Sequence, residues 1–233
     1  MQAGGGLAVS FPIQTLAFLE DLATHNDKAW FDANRSRYEE HWLAPARAFV
    51  DAVGPKLKTL SPSVEWAPKV NGSIFRINRD TRFSKDKTPY KVQVDLWFWQ
   101  GDRRGWDSPG FFFRLTPQQL IIGAGMHTMQ KEVLSNYRTA VDRDGDALAA
   151  ALKPIQEHPE LKLGAEGGKL VPRGYAKDHK HAELLKLKGL WGGYEDEVPS
   201  IVHEPGFADW CVEQWAVTMP LQRWLLASLK GRG

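Results

Sequence analysis

The chain has 233 residues, of which 42% are hydrophobic and 11% aromatic, enough for a sizeable core in one large domain or two small ones. A pI of about 8.6 argues against a general nucleic-acid binder, whose domain pI usually exceeds about 9. The single cysteine excludes an intramolecular disulfide framework and favours a reducing compartment. The start lacks a basic stretch followed by an apolar one, and the sequence contains no apolar run that could span a bilayer. We therefore expect a cytoplasmic protein without a signal peptide or membrane segment.

Helical spacing of apolar residues dominates the first part of the chain. We expect residues 1–10 to form a disordered tail and residues 11–233 to form a single domain. Apolar residues recur every three to four positions over 13–25, 27–42 and 45–60, which predicts three helices. Pro45 suits the first turn of the third helix.

The period then changes to two, which is typical of strands. Alternation predicts strands over 73–78 and 91–100, with a charged loop over 79–89 between them. A hairpin follows, with strands over 111–115 and 120–124. Four consecutive strands with short connections favour an antiparallel sheet.

The last hundred residues return mostly to helical patterns. The predicted elements are helices over 128–141, 144–158 and 178–187, a Gly-rich loop over 164–174, a strand over 189–198 and a C-terminal helix over 207–229 that Pro220 kinks or splits. Helices, then a sheet, then helices indicate one α+β domain. Its antiparallel sheet has at least four strands, packed by the N-terminal and C-terminal helices.

Positive charge is concentrated in one segment. Residues 69–91 contain seven cationic and two acidic side chains, a net charge of +5, against −3 for the rest of the chain. Such segregation favours an anionic partner, because Arg presents a charged fork to phosphate or carboxylate and Lys adds movable charge. The candidate ligand-binding residues, with one from a later loop, are Arg76, Arg79, Arg82, Lys85, Lys87, Tyr90, Lys91 and Arg173.

Two other interpretations of this segment stay open. The Arg and Asp side chains of R-D-T-R (79–82) can form an ion-pair network that only fixes the loop, or the segment can be a partner interface. We expect Asp80 to make charge-assisted bonds within R-D-T-R rather than to face solvent.

A second cation-rich stretch is G-G-K-L-V-P-R-G-Y-A-K-D-H (167–179), which carries Lys169, Arg173 and Lys177. Its glycines would let backbone N–H groups approach an anion, but the spacing is neither that of a Walker A loop nor that of a dinucleotide-binding loop. The alternative is a plain surface loop. If it is functional, we expect residues 172–177 to lie against residues 79–90.

Three motifs carry a family resemblance. They are R-I-N-R-D-T-R-F-S-K-D-K-T-P-Y-K (76–91), N-D-K-A-W-F-D-A-N-R-S-R-Y-E-E (26–40), and the stretch 167–179 followed by A-E-L-L-K-L-K (182–188). With these motifs in order, the chain resembles a widespread family of bacterial and fungal proteins catalogued as a domain of unknown function. The resemblance implies no activity and assigns no catalytic residue.

Other chemistry has little support in the sequence. The seven histidines do not form a metal-binding motif, no nucleophile elbow occurs, and Cys211 is typical of a buried helical cysteine, so we predict neither a metal nor a cofactor. Trp97 and Trp99 share one face of a predicted strand and either stack bases or pack in the core.

Two functions follow as hypotheses. The first is a protein that binds a small phosphorylated or carboxylated ligand in a basic pocket, with enzymatic activity left open. The alternative is a non-enzymatic module that docks on an acidic protein or on single-stranded nucleic acid. A closed pocket lined by Arg79, Tyr90 and Arg173 would favour the first, and an open basic strip with Trp97 or Trp99 exposed would favour the second.

Overall fold

Helices fill the N-terminal part of the computed structural model, which describes residues 9–101 and 108–229. They are α1 (Ile13–Thr24), α2 (Lys28–Ala33), α3 (Arg35–Arg37), a π-helical turn (Tyr38–Leu43) and α4 (Ala44–Leu60). Residues 1–8 of the expected tail lie outside the described residues, and Val9 is buried. In α4 the apolar stripe of Phe49, Val50, Val53 and Leu57 is fully buried, and Pro45 lies in the first turn, as the sequence predicts.

The sheet is antiparallel and has six strands. The strands are β1 (Val64–Glu65), β2 (Val94–Gln100), β3 (Gly110–Leu115), β4 (Gln119–Met126), β5 (Leu161–Gly167) and β6 (Leu187–Glu197), in the spatial order β1-β2-β3-β4-β6-β5. The predicted hairpin is β3 and β4, whose turn is closed by Thr116 N–H donating to the carbonyl of Gln119 at 2.9 Å. The α+β fold class predicted from the sequence is confirmed.

The first predicted strand is wrong. Residues 73–78 make only isolated bridges, which join Ile74 to Val70 and Leu96, and Asn78 to Tyr90. Asn71, with a φ of 63°, turns the chain just before this segment. The segment runs alongside β2 and the residues before it and is joined to them by single backbone hydrogen bonds. Its backbone therefore does not form the regular ladder of a strand, although its side chains alternate.

The remaining helices are α5 (Lys131–Gln156), α6 (Ala182–Lys186), a 3₁₀ turn (Ser200–His203), α7 (Phe207–Val217) and α8 (Met219–Leu229). The two helices predicted over 128–158 run together as α5, but Asp144 has non-helical dihedral angles (φ −149°, ψ 50°) at the predicted boundary. The C-terminal helix is split next to Pro220, as predicted. No helix in the two described stretches is long and apolar enough to cross a membrane.

The expected Gly-rich loop over 164–174 is partly wrong, because residues 164–167 belong to β5. Gly164 lies opposite Trp191 in the register of β5 and β6. A Cβ at position 164 would lie 1.9 Å from Cε2 of Trp191, so glycine is present here to make room for the indole ring. This glycine therefore serves packing in a strand and not an anion.

The chain divides into two compact units. The first contains the chain up to Phe98, Phe112–Ile121 and Asp196–Val212, and the second contains Trp99–Phe111, Ile122–Glu195 and the chain from Glu213 onward.

Each unit has its own buried packing. In the first unit, Phe11, Phe49, Phe113 and Phe207 form an aromatic cluster with ring centroids 5.0–6.2 Å apart. In the second, the indole N–H of Trp215 donates to the carbonyl of Gly123 at 3.0 Å.

Candidate functional site

The charged loop predicted over 79–89 is folded around the carboxylate of Asp86. Thr88 donates its backbone N–H and its hydroxyl to Oδ1 of Asp86, both at 2.9 Å, and Nη1 of Arg79 donates to Oδ2. These donors favour the charged carboxylate and lower the pKa of Asp86 to about 2, with the backbone N–H of Thr88 contributing most. A short Asp-x-Thr turn thus brings the Arg79 guanidinium across the base of the loop.

A second ion pair lies within R-D-T-R. Arg82 donates Nε and Nη2 to the two carboxylate oxygens of Asp80, at 2.9 and 2.6 Å, and its backbone N–H also donates to Oδ1. The side-chain bond from Arg82 holds the pKa of Asp80 below its usual value. The prediction that Asp80 bonds within R-D-T-R is confirmed, but Asp80 is exposed and the expectation that it avoids solvent is wrong. The Arg82 guanidinium is occupied by this carboxylate.

Asn26 fixes the end of the loop from 64 residues away in the sequence. Its side-chain amide donates to the carbonyl of Tyr90 and accepts from the backbone N–H of Tyr90, both at 3.0 Å. The Tyr90 ring stacks on Phe31, with the centroids 4.2 Å apart and the planes 16° apart. Asp27 caps α2 by accepting from the backbone N–H of Trp30, which places Phe31 beneath Tyr90. The N-terminal signature therefore supports the basic segment directly.

A cleft of about 450 Å³ opens between Asn26 and this loop, entirely within the first unit. It is lined by Asn26, Arg79, Asp80, Asp86, Thr88, Tyr90, Lys91, Val92 and Gln93. Of the predicted site residues, the structure brings Arg79, Tyr90 and Lys91 together at the cleft. Four others lie exposed on the same unit and do not line the cleft, namely Arg76, Arg82, Lys85 and Lys87.

The Arg79 guanidinium keeps hydrogen-bond donors that the protein does not use. Its side chain is only 27% exposed, and its internal hydrogen bonds to Asp86 and to both oxygens of Thr88 all come from Nη1. Within the described parts of the chain, Nε and Nη2 make no hydrogen bond. The guanidinium is therefore held in place by one nitrogen, and its other donors face no protein acceptor.

Lys91 lies next to a buried acidic group on β2. Its Nζ is 3.8 Å from Oδ2 of Asp95, while Arg114 and Gln93 each donate to the Asp95 carboxylate at 2.6 Å. The ammonium also lies 5.3 Å from the centroid of the Phe75 ring. Burial lowers the pKa of Lys91, against the opposing effect of Asp95 and with smaller contributions from Arg114 and Arg76.

Arg173 belongs to the second unit, where it is exposed in the turn around Gly174. The end of this loop is attached to α5, because Nε2 of His179 lies 3.2 Å from Asp142 and Nζ of Lys180 lies 2.6 Å from Asp146. The prediction that residues 172–177 lie against residues 79–90 stays a prediction.

Two other side chains considered from the sequence, those of Trp97 and Cys211, are buried. Trp97 is only 4% exposed, so it packs inside the protein. Cys211 is fully buried, and burial raises the pKa of its thiol well above the usual value. In residues 9–101 and 108–229 no group of three or more His, Cys, Asp or Glu side chains is placed to hold a metal ion.

Sequence reasoning missed the residues that shape the cleft without charge. Asn26 and Gln93 are isolated polar residues, and no local pattern marks their contact with a distant segment. Thr88 could have been recognised, since D-K-T places a hydroxyl and an N–H two residues after an Asp, the spacing of a local side-chain turn.

The fold and the cleft define an α+β protein whose loop over 79–90 is held by contacts between two separated motifs, 26–40 and 76–91. Residues 14–224 match the family described as conserved hypothetical proteins (DUF2461), and the chain belongs to that family. A comparison with curated proteins gives no match.

Proposed function

We propose that the protein binds a small phosphorylated or carboxylated ligand in the cleft between Asn26 and the loop over 79–90. The observation that supports this is Arg79, which is held at the cleft by one nitrogen and keeps its other donors available. A guanidinium presents paired donors that match the oxygens of a carboxylate or phosphate. Lys91 adds a second cation at the same cleft. We propose that this binding takes place in the cytoplasm, whether or not a reaction follows.

The charges around the cleft support an anion. Within the cleft lining, Arg79 and Lys91 face Asp80 and Asp86, but Asp86 is bound by Arg79 and its turn. The wider cluster in this unit has five cations, Arg76, Arg79, Arg82, Lys91 and Arg114, against three carboxylates, Asp80, Asp86 and Asp95. The cations that would attract an anion are in surplus in this wider cluster, while the cleft lining itself is balanced.

The test is a thermal melt with and without inorganic phosphate, on the wild type and on Arg79→Ala, Arg79→Lys and Arg47→Ala. At phosphate concentrations about 100 times the dissociation constant, binding should stabilise the wild type by about 2.7 kcal/mol. For a chain of this length that is a rise in Tm of about 5–11 °C. Arg79→Ala should lose the rise, and Arg79→Lys should not restore it, because Lys lacks the planar fork. Arg47 is an exposed arginine on α4 outside the cleft lining, so Arg47→Ala should respond like the wild type.

The same melts separate a binding role from a structural one. Asp86 is 58% exposed and keeps both bonds from Thr88 when Arg79 is removed, so Arg79→Ala should cost little stability in the absence of ligand. A wild type that ignores phosphate, sulfate and small carboxylates, together with a strongly destabilised Arg79→Ala, would show that the arginine only holds the loop.

One observation favours the alternative of a docking module. Phe83 is 95% exposed at the tip of the same cationic loop, between Arg82 and Lys85. A bare aromatic ring among cations suits a partner that is acidic and offers a base or an apolar pocket. If docking is the function, fluorescence anisotropy should detect binding of labelled single-stranded DNA or poly-glutamate, and Phe83→Ser should weaken it. Equal binding by the wild type and Phe83→Ser would remove this candidate.

A further inference from the structure

Lys91 differs from the other lysines of the basic segment in its surroundings. Its side chain is 28% exposed and borders the cleft, whereas Lys85 and Lys87 are exposed. Lys87 has an acceptor for its ammonium, the carbonyl of Thr81 at 2.8 Å. Lys91 has no such acceptor among the described residues, since its nearest carboxylate oxygen, on Asp95, is 3.8 Å away.

The Asp95 carboxylate cannot readily move toward Lys91. Arg114 holds Oδ1 at 2.6 Å and Gln93 holds Oδ2 at 2.6 Å, and Asp95 is itself buried in β2. The backbone of Lys91 is fixed as well, because its N–H donates to the carbonyl of Ile77 at 2.8 Å. The amine is therefore placed at the cleft with an incomplete hydrogen-bond shell.

Burial favours the neutral form of the amine. Asp95 opposes this by attracting a proton to Nζ, and Arg114 and Arg76 add smaller contributions in the same direction as burial. The net result is a pKa of Lys91 below the ordinary value. A desolvated amine next to other cations is the environment in which lysine becomes a nucleophile toward carbonyl compounds.

We infer that Lys91 is the nucleophile of a site for anionic aldehydes or ketones, whose carboxylate or phosphate is held by Arg79 while the carbonyl carbon lies at Nζ. This inference rests on the proposed function, because it assigns the anion to Arg79. It narrows the ligand class to small compounds that carry both an anionic group and a carbonyl.

The chemistry balances with the groups present. Nζ gives a proton to solvent through the open cleft, and its lone pair attacks the carbonyl carbon. A C–N bond forms while the carbonyl π electrons move to oxygen, and transfer of a proton from nitrogen to oxygen gives a carbinolamine. The hydroxyl group takes up a proton and leaves as water as the C=N bond forms. The sum is ketone or aldehyde plus amine giving imine plus water, and the Asp95 carboxylate lies close enough to stabilise the cationic, protonated imine.

The experiment uses glyoxylate as the probe and sodium cyanoborohydride as the reductant that traps any imine as a stable carboxymethyl amine. Peptide mass mapping then gives the labelling rate of each lysine at neutral pH. Lys91 should be labelled at least about tenfold faster than Lys85, because the bound anion holds the aldehyde next to the amine. Arg79→Ala should remove most of the rate advantage of Lys91 over Lys85 toward glyoxylate, inorganic phosphate should compete, and Lys91→Arg should lose the adduct at this position.

Two further measurements complete the test. Formaldehyde, which has no anionic group, should label Lys91 equally fast in the wild type and in Arg79→Ala. The pH at which Lys91 reaches its maximal labelling rate should be lower than that of Lys85.

Three outcomes would overturn the inference. Labelling of Lys91 no faster than Lys85, in a protein that phosphate still stabilises, would leave the proposed anion site standing and remove the carbonyl chemistry. Fast labelling that does not depend on Arg79, in a protein that ignores phosphate, would remove the anion clamp and with it the assigned ligand class. A labelling rate that follows pH like that of Lys85 would show that the amine is an ordinary lysine.

Discussion

The pair of hydrogen bonds between Asn26 and the backbone of Tyr90 gives a quantitative prediction. Asn26→Ala removes both bonds at once and leaves the N–H and C=O of Tyr90 without these partners. Each such bond contributes about 0.5–1.5 kcal/mol net, so the variant should lose about 1–3 kcal/mol of unfolding free energy. In a chain of this length that corresponds to a fall in Tm of about 2–12 °C.

The matched control is Asn78→Ala. This variant makes the same chemical change at an exposed side chain, in a residue whose backbone pairs with Tyr90. Exposed substitutions of this kind usually change stability by less than about 0.5 kcal/mol. Urea titrations and thermal melts of the two variants measure the difference.

The same variant should also weaken ligand binding. Tyr90 and Lys91 border the cleft, and without Asn26 this end of the loop keeps only the stacking of Tyr90 on Phe31 and the backbone contacts to Ile77 and Asn78. The rise in Tm that phosphate produces should therefore be smaller in Asn26→Ala than in Asn78→Ala. Identical melts for the two variants, with and without phosphate, would refute the reasoning that Asn26 positions the loop.

Three further predictions concern single groups. The pKa of Asp86 is lowered in the folded protein to about 2, so its stabilising effect is present above the unfolded pKa of about 3.9 and is lost as pH falls toward 2. The difference between the urea midpoints of the wild type and Asp86→Asn should accordingly be full at pH 5 and shrink steadily as pH falls to 2, and a constant difference would contradict this. Gly164→Ala should lower the unfolding free energy by about 1–3 kcal/mol because its Cβ would collide with the Trp191 ring. Gly168→Ala is the control, since its Cβ would have its nearest neighbour at 3.7 Å, and thermal melts compare the two variants. Gln222 is fully buried, and its amide atoms have no hydrogen-bond partner in the described chain. Gln222→Met should therefore raise the unfolding free energy by about 1–3 kcal/mol. A lower unfolding free energy in this variant would mean that the amide is hydrogen-bonded in the folded protein.

Local pattern predicted much of the fold. The alternation over 111–115 and 120–124 gave the hairpin of β3 and β4, and Pro220 marked the division between α7 and α8. The alternation over 73–78 misled, because period-two spacing reports which faces are buried and not whether a hydrogen-bonded ladder forms. Gly164 was assigned to a loop for a related reason, since a glycine in a strand under an aromatic ring leaves no hydrophobic signal of its own.

The site was predictable where charge marked it. The surplus of cations pointed to the segment that contains Arg79, Tyr90 and Lys91, and all three border the cleft. The sequence could not separate Arg79 from Arg82, because both stand near an Asp. In the structure Arg82 closes on Asp80 two residues away, while Arg79 crosses the loop to Asp86. That difference depends on the turn at Thr88 and on the distant amide of Asn26.

The first unit is discontinuous along the chain, and this has a consequence during protein synthesis. Every residue that lines the cleft precedes residue 94, so all of them are synthesised well before Asp196–Val212 of the same unit. The aromatic cluster of the same unit nevertheless includes Phe207, whose ring packs on Phe11, Phe49 and Phe113. Until residue 207 has emerged from the ribosome, that cluster lacks one of its four rings. A nascent chain released before residue 207 would carry all the cleft residues on an open core, so we expect such truncated products to be degraded rather than to accumulate as active fragments.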